Sequence, residues 1–170
     1  AQYYMPILLE AYGLTTDDVQ ITETALQDIC DAVNDGNADF GVHITPYTSS
    51  PIADLAATKG IKLISLDQEH IDKIVAENPF FFETTIPGGT YTGIDNDTVV
   101  IGTRNNLVCA RSVDEDVVYN VVKTIIEHQD ELPDIHPQAK MFNKENAVDG
   151  ALIDIHPGAA KYYKEIGIMN

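Results

Sequence analysis

The stretch Ala38-Asp39-Phe40-Gly41-Val42-His43-Ile44-Thr45-Pro46-Tyr47-Thr48-Ser49-Ser50-Pro51-Ile52-Ala53-Asp54-Leu55-Ala56 decides the fold. Its first seven residues read as a buried strand. Thr45 to Pro51 is a polar turn, and a helix follows from about Ile52 to Thr58. Gly60 stops that helix, and Ile61-Lys62-Leu63-Ile64-Ser65-Leu66 reads as a second strand. Asp67 caps a further helix reaching about Glu77, closed by Asn78-Pro79. Strand, helix, strand, helix in this rhythm predicts an α/β fold, with a parallel or mixed sheet covered by helices.

Upstream, Gln2 to Tyr12 reads as a helix stopped by Gly13, with Pro6 tolerated in its first turn. Thr22 to Asn34 is a second helix, because Leu26, Ile29, Cys30 and Val33 share one face and Gly36 follows. Downstream, Phe80 to Thr98 reads as a loop built on three phenylalanines and Ile86-Pro87-Gly88-Gly89-Thr90-Tyr91. From Thr98 an extended stretch runs on through Leu107-Val108-Cys109-Ala110, long enough to connect two lobes. Asp114-Glu115-Asp116 opens the longest helix, its acidic first turn matching the helix dipole. A short helix from Lys144 to Ala151 and a last one through Tyr162-Tyr163 complete the chain, and His136-Pro137 and His156-Pro157 mark turns.

At 170 residues and 44% apolar, the chain can build a packed core. Its 27 acidic and 10 basic side chains leave a net charge of −17. Such a surface repels phosphate backbones and anionic lipid headgroups, so nucleic acid and membrane surfaces are poor partners. No apolar run reaches the 18 or more residues that a membrane span needs. The two cysteines, Cys30 and Cys109, sit apart with no CxxC or His/Cys spacing. They read as free buried thiols, with a disulfide outside the cytoplasm as an alternative that nothing in the spacing supports, and no metal is implied.

The turn from Thr45 to Pro51 is the best place for a ligand. It leaves the carboxyl end of a predicted strand and enters a helix N-terminus, where small ligands of open α/β sheets collect. Thr45, Tyr47, Thr48, Ser49 and Ser50 supply hydroxyls, and exposed amides at the positive helix end favour a carboxylate. The same hydroxyls also suit simple helix capping. Arg104 and Arg111 are the only arginines, and the Arg104 guanidinium has the fork to hold a carboxylate, or to relieve local negative charge at the surface. His43, on the predicted strand, reads as a core histidine. No GxSxG, HExxH, P-loop or strand-following GxGxxG is present, and no carboxylate pair stands out, so no catalysis and no cofactor are expected.

Several stretches, in order, resemble the solute receptors of TRAP transporters of the TAXI family. They are Ala32-Val33-Asn34-Asp35-Gly36-Asn37-Ala38-Asp39-Phe40, Ser50-Pro51-Ile52-Ala53-Asp54-Leu55-Ala56, Asn78-Pro79-Phe80-Phe81, Ile86-Pro87-Gly88-Gly89-Thr90-Tyr91, Asp116-Val117-Val118-Tyr119 and His156-Pro157-Gly158-Ala159 before Tyr162-Tyr163-Lys164-Glu165-Ile166-Gly167. The resemblance implies a type II periplasmic-binding-protein fold, with two α/β lobes closing on a ligand around extended hinge strands. It implies residues 1–97 as most of the second lobe, 98–112 as a hinge-crossing strand and 113–170 as the returning C-terminal part of an incomplete first lobe. It further implies an extracytoplasmic receptor that delivers a small organic acid, a glutamate- or glutamine-like amino acid or a dicarboxylate, to a TRAP-type permease. Thr90 and Tyr91 fall near the ligand on the family pattern, and an export signal is expected ahead of Ala1. One departure stands out: where the family carries a glycine before the proline-containing turn, this chain has Thr45-Pro46-Tyr47, so Tyr47 reshapes the site. A ligand-sensing domain of a regulator built on the same fold remains the alternative.

Overall fold

The computed structural model describes residues 3–170, and of Pro137 only the backbone. The chain divides into two compact units, the first ending at Thr103 and the second running from Arg104 to Asn170. Gln2, the start of the first expected helix, lies outside the described residues.

In the first unit, α1 (Tyr4–Ala11) packs on α4 (Gln68–Glu77), and α4 packs on β1 (Phe81–Ile86). Pro6 sits in the first turn of α1, where its missing N–H costs nothing. Met5 and Leu9 of α1 are buried, as are Ile71 and Ile74 of α4, each pair at the spacing of one helix face. Aromatic contacts tie these elements together: Tyr4 meets Phe81 edge-on at 5.7 Å, and Tyr12 stacks on His70 at 3.8 Å. Asp67 stands at the N-cap of α4, as expected, yet its carboxylate makes no capping bond. It accepts instead from the Tyr12 hydroxyl at 3.4 Å and lies 3.6 Å from His70 Nδ1. A second helix pair, α2 (Leu26–Asn34) against α3 (Ser50–Lys59), buries Cys30 and Ala56.

The sheet departs from expectation. Residues 81–86 form β1 rather than a loop, pairing antiparallel with β2 (Thr98–Thr103) in the register Phe81 to Thr103 through Ile86 to Thr98. Phe82, Thr84 and Ile86 are half-buried on one face while Glu83 and Thr85 face solvent on the other, an alternation obscured in the sequence by the run of three phenylalanines, whose Phe81 is buried at the strand's start. Residues 38–44 and 61–66 join no ladder among the described residues, so the expected parallel or mixed sheet is replaced by an antiparallel pair. Apolar composition alone supplies no partner for strand N–H and C=O groups. Phe40 and Ile64 accordingly stay exposed, and so does His43, which is not the core histidine expected. Only the end of the second stretch touches the sheet: Leu66 N–H donates to Val99 O and Val99 N–H to Ser65 Oγ. Strand β2 stops at Thr103, and residues 104–110 continue outside any ladder, leaving Leu107, Val108 and Cys109 exposed.

The second unit is built on α5 (Glu115–Glu127) and α7 (Pro157–Glu165). Asp114 caps α5 by accepting from the amides of Asp116 and Val117. Gly158 lets α7 approach closely, since a Cβ there would collide with the Glu115 carbonyl. Val118, Ile126, Ala159 and Tyr162 form the core between the two helices. His136 and His156 each precede a proline and act as N-caps, their Nδ1 atoms accepting from the amides of Gln138 and Gly158. The short helix α6 (Leu132–Ile135) lies between, and the helix expected at 144–151 is a single 3-10 turn, Lys144–Asn146.

Candidate functional site

Helix α3 begins without a side-chain cap. The Ser49 carbonyl accepts from Ala53 N–H at 3.0 Å, so Ser49 is its N-cap, but the Ser49 hydroxyl makes no capping bond. Pro51 has no N–H to offer. The amides of Ser50 and Ile52 belong to the first turn and have no acceptor within the helix. That arrangement presents backbone donors at the positive end of a ten-residue helix, the usual setting for a bound anion.

A second element meets this helix end. The loop of residues 87–97 joining β1 to β2 is held by its own backbone: Gly89 N–H donates to Ile94 O at 2.7 Å, Ile94 N–H to Tyr91 O at 3.1 Å, and Thr90 Oγ1 to Pro87 O at 2.6 Å. Gly88 donates to Asp97 Oδ1 at 2.8 Å and has to be glycine, because a Cβ would run into the Asp95 carbonyl. Gly89 adopts φ +81°, a conformation that glycine takes without steric cost. The loop so built drives Tyr91 inward until 3% of it is exposed.

The Tyr91 hydroxyl is buried and makes no hydrogen bond. Burial pushes its pKa up, the facing Ser49 amide pulls it down, and the neighbouring Cys30 thiol adds a smaller upward push. The Ser49 amide faces the phenolic oxygen without meeting hydrogen-bond geometry, and the hydroxyl has no hydrogen-bond partner among the described residues. Burial, and then Asp31, raise the Cys30 thiol, which keeps it in its inert protonated form. Cys30 also lines a groove of about 260 Å³ between α2 and α3, together with Asp31, Pro51, Asp54 and Leu55.

The structure therefore brings Ser49, Ser50 and Tyr91 to one place. Thr45 and Tyr47 are half-buried along the same turn, while Thr48 and Ser50 face solvent. Thr90 is committed to closing its own loop. Arg104 belongs to the second unit, where its guanidinium pairs with Asp149 at 3.5 Å. Sequence reasoning overlooked Cys30, Asp31 and Asp54 as neighbours of the turn. The amphipathic pattern of α2 indicated which face is buried, though not what it is buried against. Among the described residues, no group of three His, Cys, Asp or Glu side chains is placed to hold a metal ion, and no helix is long and apolar enough to cross a membrane.

Preformed amide donors with a buried phenol beside them suit the capture of a small polar molecule. Comparison with known families gives the same class, that of periplasmic solute-binding proteins. Residues 1–167 match the NMT1-like family, and the chain belongs to it.

Proposed function

We propose that the chain is the ligand-gripping part of an extracytoplasmic receptor of the TAXI type, which captures a small organic acid and hands it to a TRAP-type permease. The ligand is a glutamate- or glutamine-like amino acid or a C4–C5 dicarboxylate, and its carboxylate sits at the start of α3. Thr45, Tyr47, Thr48, Ser49 and Ser50 line that position on the turn, with Thr90 and Tyr91 contributed by the neighbouring loop. The observation that carries this reading is the uncapped α3 N-terminus facing a buried tyrosine hydroxyl that has no partner. Membership of a solute-binding family supports it further. Binding in such a receptor shifts open molecules to closed ones, and the closed form is what a permease recognises.

A thermal-shift screen against amino acids and dicarboxylates tests the reading. Ligand at about 100 times its Kd stabilises the folded state by about 2.7 kcal/mol. For a chain of this size that raises Tm by roughly 5–10 °C. Glutamate, glutamine or a C4–C5 dicarboxylate gives the largest rise. A flat response to all of them defeats the assignment.

A further inference from the structure

Two irregularities at the start of α4 fall on residues that face each other. Asp67 occupies the N-cap, yet its carboxylate bonds no amide of the first turn. His70, in that turn, has a buried Nδ1 with no hydrogen-bond partner. A carboxylate that forgoes its capping amides and a buried ring nitrogen left alone each cost stability. Asp67 Oδ2 lies 3.6 Å from His70 Nδ1, just beyond hydrogen-bond reach.

Helix α1 supplies the third part. Its C-cap residue, Tyr12, lies flat on the His70 ring, with 3.8 Å between centroids and 8° between planes. The Tyr12 hydroxyl accepts from Asp67 N–H at 3.3 Å and donates to Asp67 Oδ2 at 3.4 Å. The imidazole is thus held among a carboxylate, a phenol face and the negative end of α1. Lys73, one turn further along α4, already donates to a carbonyl at that end, the one of Glu10, at 3.4 Å.

The surroundings favour a positive charge on this ring. The titratable groups on the elements packed against α4 are Tyr4, Glu10 and Tyr12 from α1 and its cap, and Glu83 from β1. Helix α4 and its cap carry Asp67, Glu69, Asp72, Lys73 and Glu77, so Lys73 is the one cation against six carboxylates. Glu83 and Asp72 accept from Gln68 Nε2 at 2.7 Å and 2.9 Å, and Asp67 is the carboxylate that meets the ring. The positive end of α4 itself opposes a charge on His70, and Glu69 in the same turn offsets it. The His70 side chain is 27% exposed, so a proton reaches it from solvent without unfolding.

We propose that His70 is a proton-operated fastener between α1 and α4. The neutral ring stacks on Tyr12 and does no more. Protonation makes it an imidazolium, whose Nδ1–H donates to Asp67 and whose charge lies over the Tyr12 ring and at the end of α1, beside Lys73. A proton held more tightly with α1 docked than with α1 detached stabilises docking on the acid side. The gain fades as pH climbs through the range of about 5 to 8 in which histidine loses its charge.

Amide hydrogen exchange of the whole chain, followed by NMR at about pH 8 and about pH 5.5 and corrected for the intrinsic rate, tests this. Protection of the α1 amides rises about 3- to 5-fold at the lower pH, the size expected of a partly exposed charged pair. His70→Phe keeps a ring against Tyr12 and takes no proton. Asp67→Asn keeps a good N-cap residue and removes the partner charge. Either change abolishes the rise in α1. Exchange in the second unit, where His128 has its own response to pH beside Glu131, follows the parent chain. A rise that survives both changes overturns the proposal, because it then comes from general relief of acidic repulsion. Equal protection of α1 at the two pH values in the parent chain overturns it as well. If His70→Phe fails to fold, Asp67→Asn, at a position that is 75% exposed, decides by the same two outcomes.

Discussion

Arg104 and Asp149 pair at 3.5 Å inside the second unit, and the aliphatic stem of Arg104 lies over Gly150. The second arginine does the same thing five residues further along the facing segment, Arg111 meeting Asp154 at 3.0 Å. Both arginines of the chain thus pin the stretch after β2 to residues 149–154. The expected outcome for Arg104→Ala is a stability loss of at most about 1 kcal/mol, the usual size for a partly exposed pair. Denaturant melts of the variant check it.

Gly150 makes the companion case. Its φ is +70°, and a Cβ there would lie 2.7 Å from Arg104 Cδ. Gly150→Ala therefore costs roughly 1 kcal/mol or more in stability, from backbone strain alone. In the background of Arg104→Ala, which empties that space, the same change costs less. A double-mutant cycle measures the difference.

Tyr119 gives the second unit an alkaline limit. Its hydroxyl donates to Glu165 at 2.7 Å, and that hydrogen bond, helped by smaller effects of burial and nearby charges, pushes its pKa up to about 12. An unfolded tyrosine titrates near about 10. Folding thus favours the protonated phenol, a contribution fully present below the unfolded value and lost as pH climbs from about 10 toward about 12. Tyr119→Phe flattens stability against pH in that window. Parallel curves for the two proteins would show that the bond contributes nothing.

Screening matters for the first unit. Its 16 acidic side chains, far outnumbering its three lysines, repel one another at low salt. Raising NaCl from 0.1 M to 1 M shortens the reach of those charges from about 10 Å to about 3 Å. The chain's Tm rises across that range. A fall in Tm would mean that favourable ion pairs outweigh the repulsion.

How legible this was in the sequence depends on whether a feature is local. Helix α2 followed from the spacing of Leu26, Ile29, Cys30 and Val33, and α5 from Asp114 ahead of a Val/Ile face; both are properties of one element. Strand β1 was hidden, because Phe80-Phe81-Phe82 shows no alternation and the proline and glycines after it look like loop. The expected strands at 38–44 and 61–66 had the right composition, but pairing is a tertiary property that composition does not encode. Among the candidate ligand contacts, the turn ahead of α3 and the loop carrying Tyr91 were both visible. Their meeting was not, since it depends on Gly88 and Gly89 folding the loop inward against Ser49 and Cys30.

Gly88 offers a test of that packing. Gly88→Ala drives a methyl group into the Asp95 carbonyl, so the loop has to open. Tyr91 then becomes accessible, and ligand affinity falls along with stability. Tyrosine fluorescence quenching reports the exposure. An unchanged quenching constant would show that the loop accommodates the methyl without moving its tyrosine.

The most direct measurement is an amide NMR titration of the chain with glutamine. The resonances of Ser50 and Ile52 move farthest and saturate together, because their N–H groups take the ligand carboxylate. If glutamine binds while those two amides stay in place, the helix end is not where the acid is held.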